Sequence, residues 1–144
     1  MPRLTLRVAL VVLASICLVF AIVVPLVRTA FRVTPTISIV VPNGFRGVLT
    51  IEEADGAPGP EMGENSFTYM VSGSGTCRTS ALTPFRQWHK LRGRYADGSY
   101  LPVYGLGSSD PTRVFLYELG GDSNDVLYLV GTKAEYDRLH KGNK

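Results

Sequence analysis

Five residues near the middle of the chain combine positive charge with one aromatic ring at alternate positions. They are Arg86, Trp88, Lys90, Arg92 and Arg94. Successive side chains of a strand point to opposite faces, so a strand from Phe85 to Tyr95 places all five on one face. Such a face is either a solvated sheet surface or a binding surface for anionic lipid headgroups or an acidic partner. An exposed Trp88 favours the binding surface.

Residue types suited to metal or nucleophilic chemistry are sparse. The histidines are His89 and His140, and no histidine or cysteine motif has metal-ligand spacing. A serine hydrolase requires His89 within hydrogen-bond reach of a serine and close to a carboxylate. No Gly-x-Ser-x-Gly elbow opens a helix. We therefore expect no catalytic residue, no metal and no cofactor, and the serine hydrolase is the less favoured alternative.

An uncharged apolar run, VALVVLASICLVFAIVVPLV, extends from Val8 to Val27. A helix of this length spans roughly 30 Å, the thickness of the hydrocarbon core of a bilayer. Arginines flank the run on both sides: Arg3, Arg7, Arg28 and Arg32. Their distribution gives a mild preference for a cytoplasmic N-terminus. The run predicts a single-pass plasma-membrane protein with a cytoplasmic flank (1–7), a transmembrane signal anchor (8–27), a tether (28–35) and an extracytoplasmic domain (36–144).

Two other interpretations of the apolar run stay open. A cleaved signal peptide has a shorter apolar region, about 7–15 residues, and a small-x-small cleavage site. The candidate site Arg28-Thr29-Ala30 has an arginine where a small residue is expected. A lipid anchor at Cys17 would need Gly or Ala at the position of Ile16. The uncleaved anchor is therefore the favoured interpretation.

The charge balance points to a membrane rather than to nucleic acid. The net charge is +3, but the four flanking arginines leave eleven basic and twelve acidic residues in the rest of the 144-residue chain. The expected partners are therefore the lipid bilayer and another membrane or envelope protein, and not nucleic acid. In this topology Cys17 and Cys77 cannot form a disulfide within one chain. Cys77 is either buried, which is favoured, or available to a second chain.

The residues after the tether have the alternating pattern of short strands separated by turns. The predicted strands are 36–41, 46–53, 66–72, 76–80, 85–95, 100–104, 113–119 and 126–131. Asp97-Gly98 predicts a hairpin. Thr132 and Glu135 form a capping box for a short helix over Lys133–His140, whose Tyr136 and Leu139 are expected to pack on a sheet. The pattern predicts an all-β domain, a β-sandwich of about 7–8 mostly antiparallel strands with a short C-terminal helix.

Three segments of the domain carry a resemblance: Val41–Ile51 (VPNGFRGVLTI), Ser74–Ser80 (SGTCRTS) and Val130–Tyr136 (VGTKAEY). Their order resembles a family of uncharacterised bacterial envelope domains that follow an N-terminal signal or anchor. The layout is also loosely similar to transthyretin-like sandwiches. The resemblance implies an all-β envelope domain and supplies no catalytic residue. The sequence as a whole predicts a non-enzymatic binding or scaffolding module, with an accessory subunit of a membrane complex as the alternative.

Overall fold

A computed structural model describes residues 34–105 and 110–141, together with Leu13, Ile16, Cys17 and Ala21. These four N-terminal residues are helical, and the rest of the predicted anchor over 8–27 lies outside the described residues. Within the part of the chain that is described, helices fall short of the length and apolarity that a membrane crossing requires. The chain divides into two compact units, Met1–Val33 and Thr34–Lys144.

In its described residues, the second unit contains nine short strands and a C-terminal helix. The strands are β1 (Thr36–Val41), β2 (Gly47–Glu53), β3 (Glu61–Gly63), β4 (Ser66–Met70), β5 (Thr76–Thr79), β6 (Lys90–Tyr95), β7 (Tyr100–Leu101), β8 (Phe115–Gly120) and β9 (Asp125–Gly131). A 3-10 helix covers Thr83–Arg86, and the helix α1 covers Lys133–Lys141. The predicted all-β class with a short C-terminal helix is confirmed.

The strands form two sheets that enclose one core. The five-stranded sheet has the order β3-β4-β1-β6-β7, and the four-stranded sheet has the order β5-β2-β9-β8. Both sheets contribute side chains to the core, among them Ile37 and Ile39 from β1 and Leu49 and Ile51 from β2. These residues occupy alternate positions, because every second side chain of a strand faces the same side.

The prediction of mostly antiparallel pairing holds only narrowly, for four of the seven strand pairs, because both sheets are mixed. Strand β1 runs parallel to β4 and to β6, and β2 runs parallel to β5. The pairs β2–β9, β3–β4, β6–β7 and β8–β9 are antiparallel. The consecutive strands β1 and β2 belong to different sheets. The chain therefore passes through the other sheet before it returns to pair with β1. An alternating pattern identifies the buried face of each strand and does not identify its neighbour.

Several local predictions are confirmed. The Asp97-Gly98 turn joins β6 to β7, and Gly98 has a φ of 86°. Strands β6 and β7 approach each other closely at Gly93, where a Cβ atom would lie 2.7 Å from the Leu101 carbonyl oxygen. The capping box of α1 is formed, because the Thr132 amide donates to Glu135 Oε2 at 2.6 Å. Tyr136 packs on the four-stranded sheet as expected, whereas Leu139 is 43% exposed.

Candidate functional site

Three of the five predicted surface residues share the outer face of the five-stranded sheet. Lys90, Arg92 and Arg94 are exposed at alternate positions of β6, and Leu91 and Tyr95 pack toward the core from the opposite face. We call these three cations the basic row. At strand geometry the row extends about 13 Å from Lys90 to Arg94.

The surroundings of the basic row are set by the parallel neighbours of β6. In β1, Thr36, Ser38 and Val40 lie opposite Lys90, Arg92 and Arg94, respectively. On the far side of β1, the same three positions are continued by Ser66, Thr68 and Met70 of β4. A groove of about 790 Å³ follows the row and is also lined by Ser38, Gly98 and Tyr100. The row therefore lies beside hydroxyl groups that donate and accept hydrogen bonds.

The basic row has no ion-pair partner among residues 34–105 and 110–141. Four other cations of the domain form ion pairs, with a carboxylate oxygen within 4.0 Å: Arg46, Arg78, Arg86 and Lys133. Glu61 shares the row of Arg92 but belongs to β3, three strands away, which is about 14 Å at the usual strand spacing. That separation exceeds the screening length of about 8 Å at physiological ionic strength. The residues that the structure describes therefore leave the positive charge of the row uncompensated.

Arg86 lies apart from the basic row, and the predicted strand over Phe85–Tyr95 begins only at Lys90. Arg86 belongs to the 3-10 helix, donates to the Ser123 carbonyl oxygen and lies 3.5 Å from Glu53. The cause is Phe85, whose ring lies 4.8 Å from the Tyr69 ring and 6.3 Å from the Tyr128 ring. Packing this partly buried ring against the core favours the 3-10 turn over an extended strand.

Trp88 lies in the segment between the 3-10 helix and β6, with 87% of its surface exposed. The Lys90 amide, two residues later, donates to the Pro35 carbonyl oxygen at 2.9 Å. Strands β1, β4 and β6 run parallel, so all three begin at the same edge of the sheet. We call this the tether edge, because the chain enters β1 there. Trp88 is thus an exposed ring at the edge where the tether joins the domain.

The geometry of a serine hydrolase is not assembled around His89. The imidazole lines a cleft of about 260 Å³ together with Glu118, Asp122 and Asp125, so a carboxylate is nearby. Its Nδ1 atom lies 2.7 Å from the Gln87 carbonyl oxygen, and no serine of the described ranges hydrogen-bonds to the ring. The other histidine, His140, is hydrogen-bonded within α1, with Nε2 2.6 Å from the Tyr136 hydroxyl.

The remaining polar candidates have local structural roles. Ser72 hydrogen-bonds to Ser74 Oγ at 2.8 Å and to the Thr76 carbonyl oxygen at 2.7 Å, which closes a turn. Cys77 is buried, as predicted, and burial raises the pKa of its thiol. In the two described ranges of the domain, no three histidine, cysteine, aspartate or glutamate side chains are grouped to hold a metal ion.

Sequence reasoning missed the neighbours of the basic row. Ser38 and Thr68 reach this face because β6 pairs in parallel with β1, and β1 pairs in parallel with β4. No signal in the sequence specifies these parallel pairings. The alternation of charge over 90–94 was the signal that identified the row itself.

Comparisons with known proteins add little to this geometry. No protein-family model matches the chain, and no curated protein matches it. Among solved structures, the chain is similar to a Bacillus anthracis protein described as a "putative lipoprotein", known from a 2.75 Å crystal structure. The sequence identity is 15%, the similarity covers 69% of this chain and 71% of that chain, and the TM-score is 0.43.

Proposed function

We propose that this protein is a membrane-anchored, extracytoplasmic binding module of the bacterial cell envelope that has no catalytic activity. In this proposal, residues 8–27 hold the chain in the plasma membrane, and the outer face of the five-stranded sheet binds a partner. The envelope assignment is supported by the apolar run and by the resemblance of Val41–Ile51 and the two later segments to bacterial envelope domains. The binding role is supported by the chemistry of the basic row.

The observation that carries the proposal is the set of three exposed cations without an acidic partner in the described part of the domain. Like charges placed on one face repel each other, so an uncompensated row costs free energy in the isolated domain. An anionic partner removes this cost. The outer face of the four-stranded sheet differs, because α1 packs on it through Tyr136.

Site-specific photo-crosslinking in membranes tests whether this face is the binding surface. A benzophenone amino acid replaces Tyr100, which lines the groove and is 68% exposed. The matched control carries it at Val48, an exposed position on the outer face of the four-stranded sheet. We expect adducts at position 100 that disappear when Lys90→Gln, Arg92→Gln and Arg94→Gln are combined.

The adduct need not be identified in advance for this test to decide. An adduct with a protein would support an accessory subunit of a membrane complex, and an adduct with lipid would support direct membrane contact. Equal yields at positions 100 and 48, or a yield at position 100 that does not depend on the three cations, would contradict the proposed function.

A further inference from the structure

We infer that the occupant of the basic row is the anionic phospholipid surface of the bilayer that holds the anchor, with Trp88 inserted at the interface. This inference rests on the proposed function and specifies its partner. It requires that the basic row, Trp88 and the tether all lie on the same side of the domain.

The tether edge brings Trp88 and Lys90, the first cation of the row, beside the last residues of the tether. The Lys90 amide bonds to the Pro35 carbonyl oxygen, and the Thr36 amide bonds to the Asn65 carbonyl oxygen, both at 2.9 Å. The starts of β1, β4 and β6 are therefore fixed beside the last residues of the tether. Pro35 is eight positions after Val27, and a fully extended chain of eight steps reaches at most about 28 Å. If residues 8–27 lie in the bilayer, as proposed, this chain length limits how far the tether edge can move away from the membrane.

Trp88 has the position and the chemistry of an interfacial residue. An indole ring carries a large apolar surface and one N–H donor, and tryptophan is enriched where membranes meet water. Trp88 is 87% exposed and precedes Lys90 by two residues at the tether edge. Inserting the ring at the headgroup level therefore brings the first cation of the row to the same level.

The basic row supplies the electrostatic part of the attraction. A lysine or arginine near an anionic membrane surface contributes about a fivefold gain in binding, so three contribute about 100-fold. The long side chains reach headgroups while their stems stay on the sheet. Thr36, Ser38 and Ser66 lie across the strands from the row and add hydroxyl donors for phosphate oxygens.

Acidic residues do not cancel this attraction. Asp97 follows β6 in the turn to β7, and its carboxylate accepts a hydrogen bond from the Ser99 amide at 2.8 Å. It forms no ion pair with the row. Glu61 lies on the far edge strand of the same sheet. Glu64 is exposed in the turn between β3 and β4, beside Asn65 at the tether edge. The anionic surface is therefore expected to contact β6 and β1, which carry cations and hydroxyl groups and no carboxylate on this face.

The experiment uses the single tryptophan of the chain, which is Trp88. The full-length protein is reconstituted in nanodiscs of phosphatidylcholine alone or with phosphatidylglycerol added. We expect Trp88 emission to shift to shorter wavelength and to be quenched by brominated lipid only when phosphatidylglycerol is present. Raising the salt concentration to 1 M should reverse the shift, because the screening length falls to about 3 Å.

Two variants with equal charge change separate the row from net charge. Lys90→Gln, Arg92→Gln and Arg94→Gln together should lower the ratio of membrane-contacting to free domain about 100-fold. The matched control changes Arg113, Arg138 and Lys141 to glutamine, three exposed cations without ion pairs in the described residues. This control should keep the shift.

Identical Trp88 emission in the two kinds of nanodisc would overturn the inference, and so would a shift that resists both 1 M salt and the triple substitution. The salt series requires no variant, so the inference stays testable if the triple variant fails to fold. A protein adduct at Tyr100 together with unresponsive Trp88 emission would overturn the lipid inference and leave the proposed binding function standing.

Discussion

Two buried tyrosines differ in the hydrogen bonding of their hydroxyl groups. Tyr69 donates from its hydroxyl to the Ala81 carbonyl oxygen at 3.1 Å. Tyr117 is only 2% exposed, yet its hydroxyl has no hydrogen-bond partner within the described ranges. Its ring stacks between those of Tyr104 and Tyr136, with both centroid distances at 4.7 Å. Burial raises the pKa of Tyr117 to about 12, so the hydroxyl stays neutral at physiological pH.

Substitution by phenylalanine should therefore act in opposite directions at these two positions. We expect Tyr117→Phe to stabilise the fold by about 1 kcal/mol, because it removes an unsatisfied buried hydroxyl. Tyr69→Phe should destabilise it by about 1 kcal/mol, because the Ala81 carbonyl loses its donor. Urea unfolding of the full chain in detergent, followed by circular dichroism, measures both. A loss of stability at Tyr117 equal to the loss at Tyr69 would contradict this account.

The burial of single residues was largely predictable from the sequence, and Arg86 is the exception. Alternation correctly placed Phe67, Tyr69 and Val71 toward the core. Alternation wrongly placed Arg86 on the same strand as the basic row. The alternating pattern of 86–94 continues without a break through a 3-10 helix and a loop. The contact that overrides it, Phe85 on Tyr69 and Tyr128, joins distant parts of the chain. A pattern read along the chain does not contain such a contact.

At the scale of elements, α1 depends on its N-terminal cap and on one long-range ion pair. Glu135 Oε2 accepts from the Thr132 amide at 2.6 Å and from the Thr132 hydroxyl at 3.0 Å. Arg46, which directly precedes β2, lies 3.1 Å from the same oxygen. The Thr132 amide hydrogen bond, followed by the Thr132 hydroxyl and Arg46, lowers the pKa of Glu135.

This lowered pKa gives the contribution of Glu135 a defined pH dependence. A carboxyl group whose pKa is lower in the folded state stabilises the fold above its unfolded-state pKa, and the contribution disappears as the pH falls through the folded-state value. We expect Glu135→Gln to cost about 1 kcal/mol at pH 7. The difference from the unchanged protein should shrink as the pH is lowered below about 4.5.

Unfolding curves at a series of pH values measure this difference. Glu61→Gln is the control, because Glu61 is exposed in β3 and forms no ion pair with any described residue. The control should differ little from the unchanged protein at pH 7. A penalty for Glu135→Gln that persists undiminished in acid would contradict the proposed role of the carboxylate.

The cap and the hairpin turn were predictable because both are local. Thr132 and Glu135 are three residues apart, and the turn that contains Asp97-Gly98 covers only the four residues between β6 and β7. The pairing of β1 with β4 and β6 was not predictable, because these strands are separated by long excursions through the other sheet. The basic row was therefore found from the sequence, whereas its hydroxyl neighbours on β1 and β4 were found only from the fold.

At the scale of the whole molecule, the charge distribution matters more than the net charge. The four arginines around the apolar run account for the excess of basic residues, and the remainder of the chain has eleven basic and twelve acidic residues. Within this nearly neutral domain, ion pairs occupy Arg46, Arg78, Arg86 and Lys133, while the basic row stays unpaired in the described part. The proposed function combines this local excess with an anchor that keeps the domain beside a membrane.

The most direct test of the account is the location of the domain relative to the membrane. Asp55→Cys introduces a thiol in an exposed loop, in a background carrying Cys17→Ala, with Cys77 buried. Intact bacterial cells expressing the full chain are treated with a membrane-impermeant maleimide, and membranes are then washed with alkaline carbonate. The account predicts labelling in intact cells and retention of the labelled chain in the membranes. Labelling only after lysis, or recovery of the labelled chain in the soluble fraction, would contradict it.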